Sequence, residues 1–237
     1  TINRLREKKY KILFLTNKSI ATREEYCQKL RKLGIEVTMN EIINSNYITA
    51  KYLKEHMDPR DSVLVIGEQP LIDELAADQI NMTKDPMEAA YIVVGWDRNY
   101  TYEKINLAYQ AWKNGAKIIA TNPDKTCPVE NGDIPDCAAM IGAIEGTTGE
   151  KIDAVIGKPS KYLADYVVNE ILQLSPDQCY VIGDRLETDI LMGNECGINT
   201  ILVLSGISSL EDVEDSPHQP DYVLESVKGI PELIGGL

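Results

Sequence analysis

The hydrophobic positions of this chain fall into short unbroken runs rich in β-branched residues, each closed by a polar or glycine turn. They are Lys11–Leu15, Val63–Ile66, Tyr91–Val94, Lys117–Ala120, Ala154–Ile156, Cys179–Ile182 and Thr200–Leu204. Apolar runs that do not alternate suit strands covered on both faces, as in a parallel sheet. Between most of them the spacing changes to that of a helix. Tyr26, Leu30 and Leu33 recur at steps of four and three within Thr22–Leu33. Tyr162, Leu163, Tyr166, Val167, Ile171 and Leu174 form a second such face, which Ser175 and Pro176 stop. Strands alternating with helices predict an open α/β sheet with its functional residues just beyond the carboxyl ends of the strands.

Those ends read T-N-K-S from Thr16, G-E-Q from Gly67, G-W-D from Gly95, T-N-P-D from Thr121, G-K-P-S from Gly157, G-D-R from Gly183 and S-G from Ser205. Hydroxyls, amides, carboxylates and a lysine therefore gather where a crevice is expected. The stretch Asp58–Asp61 and the segment Gly146–Ile152 are the best boundaries for an inserted domain, which divides the chain into 1–60, 61–150 and 151–237.

Composition narrows the function. The chain has 237 residues, 43% hydrophobic and 26% charged, enough for a sizeable core and unlike a collagenous or disordered protein. No run approaches eighteen apolar residues, and Thr1–Tyr10 is neither a signal peptide nor a lipidation site. The net charge of −13 lacks the basic footprint of nucleic-acid binding and is repelled by anionic lipid. An anionic substrate would need a local device against that charge. Five scattered cysteines without C-x-x-C point to a reducing, cytoplasmic setting. Only two histidines, and no G-x-S-x-G, argue against a histidine-built zinc site or a serine hydrolase.

Three segments carry candidate chemistry. Thr16 and Asn17 after the first strand offer a hydroxyl, an amide and backbone N–H groups to an anion; the alternative is a helix cap at Ser19 or Thr22. Lys158, after a strand and before Pro159, is a point charge for phosphate, or else an ordinary surface lysine. Asp184 ends a strand and Asp189 follows in the next helical turn. Carboxylates there hold magnesium or orient a cation, although Asp189 also suits a helix N-terminus.

The order T-N, G-K-P, G-D-x-x-x-x-D resembles the haloacid dehalogenase superfamily of phosphohydrolases, and more narrowly its NagD and p-nitrophenyl phosphatase branch. V-L-V-I-G-E (63–68), V-V-G-W-D (93–97), I-I-A-T-N-P-D (118–124) and I-L-V-L-S-G (201–206) stand in that family's order, so the resemblance spans residues 13–224. It implies a Rossmann-like parallel sheet core with an inserted smaller α/β cap at 61–150. It also implies magnesium-dependent hydrolysis of small, sugar-phosphate-like phosphomonoesters through an aspartyl-phosphate. Thr16 and Asn17 would grip phosphate, Lys158 neutralise it, Asp189 position Lys158, Asp184 bind magnesium, and Asn122 and Asp124 face the substrate. A homo-oligomer through the cap is one arrangement open to such a chain.

Two departures stand out. The family's nucleophile and general acid lie in a D-x-D-G motif before the T-N segment, and no D-x-D-G occurs in these 237 residues. The chain starts on Thr1, and Thr1–Tyr10 reads as the end of the helix that follows the motif. We therefore expect a longer gene product, with a further strand, loop and part-helix on the order of 20–30 residues upstream. A catalytically inactive phosphate-binding or interaction protein is the alternative. The second departure is Pro135, Asp136, Cys137 and Ala138, where family members often carry P-G-x-G.

Overall fold

The computed structural model describes residues 1–235. They form two compact units, one of Thr1–Leu13 with the chain from Lys158 onward, the other of Phe14–Gly157.

The first unit opens on α1 (Ile2–Glu7). Leu5 and Ile12 join an apolar cluster with Ile201, Ile230 and Ile234, so this short helix is held by packing and not by its length.

In the second unit, β1 (Phe14–Thr16) is linked by α2 (Arg23–Lys32) to the parallel strand β2 (Ile42–Asn44), with Thr16 opposite Asn44. Thr22 caps α2: its hydroxyl accepts from Glu25 N–H at 3.2 Å, and the Glu25 carboxylate accepts from Thr22 N–H at 2.7 Å. Tyr26, Cys27 and Leu30 of the helix close over Phe14, Val37 and Ile42. The next helix, α3 (Ser45–His56), follows β2 without a loop. Then come β3 (Ser62–Ile66), α4 (Gln69–Ala77), β4 (Met82–Thr83), β5 (Ala89–Val94), α5 (Tyr102–Lys113) and β6 (Lys117–Ala120). An antiparallel hairpin, β7 (Thr126–Val129) with β8 (Gly132–Pro135), leads into α6 (Cys137–Thr148) and β9 (Ala154–Val155). The parallel sheet has the order β4-β3-β5-β6-β9. One face, through Leu64, Ile66, Ile92, Val94 and Ile118, packs on Ala108 and Ala111 of α5 and on Met140 and Ile144 of α6. The apolar run at 91–94 is thus fully covered, as its lack of alternation predicts.

The first unit resumes with α7 (Lys161–Asp165), which continues as a π-helical turn over Tyr166–Leu172. β10 (Tyr180–Gly183) is followed by a π-helical turn at Leu186–Ile190 that runs into α8 (Leu191–Cys196). β11 (Asn199–Val203), α9 (Leu210–Asp215), β12 (Tyr222–Leu224) and α10 (Ile230–Gly235) complete it. Its parallel sheet has the order β10-β11-β12.

The units divide after Leu13 and Gly157, whereas the sequence-based division falls at 60 and 150. Two features explain the difference. The strand expected at Ala154–Ile156 is two residues long and pairs with β6, so the five-stranded sheet runs past 150. Residues 14–60, meanwhile, pair among themselves and tie into the following segment: Arg23 to Glu74 at 2.9 Å, Lys51 to Asp78 at 2.8 Å, and Trp96 N–H to the Ser19 hydroxyl at 3.0 Å. The expected strand Lys11–Leu15 also shifts. Its ladder is Phe14–Thr16, while Lys11 donates to the Leu172 carbonyl at 2.9 Å. Among the described residues no helix is long and apolar enough to cross a membrane.

Candidate active site

In the unit that starts again at Lys158, that lysine precedes Pro159 through a cis peptide. Its ammonium donates to Asp189 Oδ1 at 2.7 Å, and both side chains are largely withdrawn from water. A pair so placed is far more costly to break than a surface ion pair, because removing either partner strands a charge. The π-helical turn sets Asp189 in place, with Asp189 N–H and Ile190 N–H both on the Arg185 carbonyl at 3.0 and 3.2 Å. Asp189 Oδ2 accepts from Arg185 N–H at 3.2 Å. The two uses foreseen for this residue, helix N-terminus and lysine partner, are thus divided between its two oxygens. The carboxylate lies flat on the end of β10: a Cβ at Gly183 would stand 2.2 Å from Asp189 Cγ.

Asp184 is gripped by the turn after β11. Its carbonyl accepts from Ser208 N–H and its Oδ2 from Ile207 N–H, each at 3.0 Å. A Cβ at Gly206 would fall 2.0 Å from the same Oδ2, so the backbone forms a close cradle for this carboxylate. Asp184 Oδ1 meets no donor among the described residues. A hard carboxylate oxygen left over in this way fits magnesium as one ligand. It is one ligand only, since among the described residues no three acidic, histidine or cysteine side chains converge as a metal cluster.

In the unit 14–157, Thr16 and Asn17 stand at the carboxyl end of β1. Thr22, not Ser19, is the cap of α2. The Thr16 hydroxyl shares a hydrogen bond with Tyr26 Oη at 3.2 Å and accepts from Lys18 N–H at 3.3 Å. Burial raises the Tyr26 phenol above its ordinary pKa, so it stays neutral beside that hydroxyl. Asn17 Nδ2 reaches Asp124 Oδ1 at 3.3 Å, which joins two of the expected substrate-facing residues. Asn122 is fully buried. It accepts from the Thr121 hydroxyl at 2.8 Å and donates to Asp136 Oδ1 at 3.0 Å, so both ends of its amide are spent inside the protein. Its amide holds Asp136 in place from inside the protein. Asp136 in turn caps α6 through Cys137 N–H at 2.6 Å. Burial first, then the Asp136 charge, push the Cys137 thiol up to about 12, so it is no thiolate nucleophile at neutral pH.

The family described as Haloacid dehalogenase-like hydrolase matches residues 1–81, and that described as HAD-hydrolase-like matches 155–230. Sugar-phosphatase AraL of Bacillus subtilis is 40% identical over 98% of this chain and 84% of its own length. The glycerol-3-phosphate phosphatase of Gallus gallus is 33% identical over 92% of the chain and 79% of its own. Among solved structures, the p-nitrophenyl phosphatase from Archaeoglobus fulgidus superposes with a TM-score of 0.90 at 35% identity, covering 98% of this chain and 89% of that one. NagD from E. coli K-12 does so with 0.85 at 31%, covering 95% and 87%. The chain belongs to the haloacid dehalogenase superfamily of phosphatases, in the NagD-like branch.

For a NagD-like phosphatase, the sequence reading missed three features near its own candidates. The helical spacing marks Tyr26 as part of an apolar face, yet its hydroxyl meets Thr16. Asp136 was noted only as a departure from P-G-x-G. The triplet Asn44–Ser45–Asn46, three polar residues directly after Ile42 and Ile43, is a strand-end signal like those at Thr16 and Gly183.

Proposed function

We propose that this phosphatase hydrolyses small, sugar-phosphate-like phosphomonoesters with magnesium, in the cytoplasm, through an aspartyl-phosphate formed on the family's D-x-D-G aspartate, which lies outside these 237 residues. The observation that carries the reading is the Lys158–Asp189 pair, largely shielded from water and held at 2.7 Å. A lysine held by one carboxylate oxygen can meet phosphate charge without searching for its position, which is how preorganised groups lower a barrier. The sugar-phosphate class rests on the 40% identity to the Bacillus subtilis sugar-phosphatase.

In this scheme the nucleophilic carboxylate forms a bond to phosphorus as the P–O bond to the leaving group breaks. The second aspartate of the motif protonates that leaving oxygen and then activates the water that cleaves the acyl phosphate. Thr16 and neighbouring N–H groups bind the phosphoryl oxygens, and Lys158 neutralises their charge while Asp189 fixes its ammonium. Asp184 is one magnesium ligand; the ion, when bound, supplies further neutralisation of phosphate charge. Asn17 and Asp124 face the substrate, and residues 61–150 act as the cap that excludes water. Asn122, bonded to Asp136, supports this side of the site from within.

A panel of sugar phosphates, glycerol phosphates and p-nitrophenyl phosphate, assayed on protein from the full reading frame, tests the proposal. Turnover should require magnesium, stop on chelation, and favour sugar phosphates. It should also vanish when the first aspartate of D-x-D-G is replaced by alanine. Turnover that survives chelation or that replacement would overturn the mechanism, and absence of turnover across the panel would overturn the function.

A further inference from the structure

Three consecutive residues, Asn44, Ser45 and Asn46, each send a side-chain donor to a different carbonyl of the loop after β1. Ser45 Oγ donates to the Asn17 carbonyl at 2.7 Å, Asn46 Nδ2 to the Ser19 carbonyl at 2.8 Å, and Asn44 Nδ2 to the Ala21 carbonyl at 3.1 Å. All three residues are buried. Asn44 also caps α3, its Oδ1 accepting from Tyr47 N–H at 2.9 Å, so the triplet is anchored to a helix start. The loop is pinned from a second direction by Trp96 N–H on the Ser19 hydroxyl at 3.0 Å.

A trans peptide points its C=O and its following N–H in opposite directions. The peptides of this loop are trans, since the cis bond among the described residues is Lys158–Pro159. With the Asn17 and Ser19 carbonyls drawn to α3, the N–H groups of Lys18 and Ile20 turn to the opposite side. Lys18 N–H lies 3.3 Å from Thr16 Oγ1 there, a long contact that an incoming oxygen would readily replace. Ile20 N–H meets no acceptor among the described residues. The triplet therefore sorts the loop into an acceptor side facing α3 and a donor side around Thr16.

Stability alone does not account for Asn46. Its Oδ1 is fully buried and has no hydrogen-bond partner among the described residues, an arrangement with a net penalty that an apolar side chain would avoid. What the asparagine provides is its donor end on the Ser19 carbonyl.

We infer that Asn44, Ser45 and Asn46 are positioning residues that aim the donor side of the 16–21 loop at the phosphoryl group of the substrate. The inference rests on the phosphatase reading for its ligand, and binding of inorganic phosphate tests it without turnover. Calorimetric titration with phosphate should give a Kd about tenfold higher for Ser45→Ala than for the parent full-length protein. Asn46→Ala, which leaves the Ser45 bond intact, should show a smaller rise of the same sign. In the turnover assay, Ser45→Ala should raise KM by a similar factor with kcat changed less than about twofold, because aim is lost equally in ground and transition states. Ser45→Cys, which keeps a weak donor of similar size, should recover part of the loss. Equal phosphate affinity in parent and both alanine variants overturns the inference, as does a parent that binds no phosphate. A parent that binds phosphate without hydrolysing any ester would instead overturn the phosphatase reading and leave this one standing.

Discussion

The two larger parallel sheets among the described residues are written in the same apolar residues and buried to different depths. In the five-stranded sheet, Val63, Ile92, Val93, Val94 and Ile119 have lost all contact with water. In the three-stranded sheet only the central strand matches this, through Ile201 and Leu202, while Ile182 of β10 remains 37% exposed and Val223 of β12 equally so. Of the charged pair, Lys158 follows β9 at the edge of the deeply buried sheet, whereas Asp189 and the candidate metal ligand Asp184 lie outside that sheet. The shallow one ends in Gly183 and Asp184 and supports the turn that carries Asp189. The deepest burial and the Asp184 and Asp189 carboxylates thus fall in different sheets, as expected where a site needs polar groups and open strand ends.

The largest effect should come from breaking the charged pair that ties Lys158 to Asp189. Lys158→Ala should lower kcat/KM by roughly 10²–10³-fold, the loss expected when a preorganised group facing developing charge is removed. It should also destabilise the fold by about 3 kcal/mol, because the Asp189 carboxylate, 6% exposed at its side chain, is left unpaired. The double variant Lys158→Ala with Asp189→Asn removes the stranded charge. Urea unfolding should then show most of the stability regained while activity stays lost. A double variant as unstable as the single one would mean that the pair is chiefly a packing element.

The next test addresses burial itself. Ile92→Ala empties a fully buried position in β5 and should cost about 2–5 kcal/mol, with kcat/KM of the folded protein unchanged. Ile182→Ala in β10 already faces solvent in part and should cost about 1 kcal/mol or less. Equal costs at the two positions would erase the contrast between the sheets.

How much of this was legible beforehand follows the same contrast. The strands at 63–66, 91–94 and 117–120 were read within two residues of their ends, because a doubly covered strand leaves an unbroken apolar run. β2 escaped because its apolar run is two residues, Ile42 and Ile43, and the third, Asn44, is buried through hydrogen bonds. The hairpin of β7 and β8 escaped because its strands are polar and carry Pro128 and Pro135. The helical face from Tyr162 to Leu174 was read as one α-helix, but its second half is π-helical, a change of hydrogen-bond step that side-chain period does not announce. At the site, Lys158, Asp184 and Asp189 were legible through motif order. The division of labour between the oxygens of Asp189, and the internal use of Asn122, depend on side-chain aim and were not. The unit boundaries at Phe14 and Gly157 were also hidden, since they depend on which segments distant in sequence pair with one another.

The smallest predicted effect probes the contact between strand and carboxylate in the shallow sheet. Gly183 sits at the last position of β10, where a Cβ would come 2.2 Å from Asp189 Cγ and 2.4 Å from its Oδ2. No Cβ is tolerated at such distances, so Gly183→Ala must move either the strand end or the Asp189 side chain. The strand end is tied by its parallel ladder to β11, with Gly183 opposite Leu202, whereas the side chain swings about two torsions. The side chain should therefore yield, lengthening the 2.7 Å contact that holds Lys158. Groups that orient a functional side chain typically contribute 10–100-fold, and Gly183→Ala should lower kcat by roughly the lower end of that range. Adding Asp189→Asn to Gly183→Ala should then cost little more, since both act through the same lysine. Full additivity of the two substitutions would show that Gly183 serves the strand and not the carboxylate.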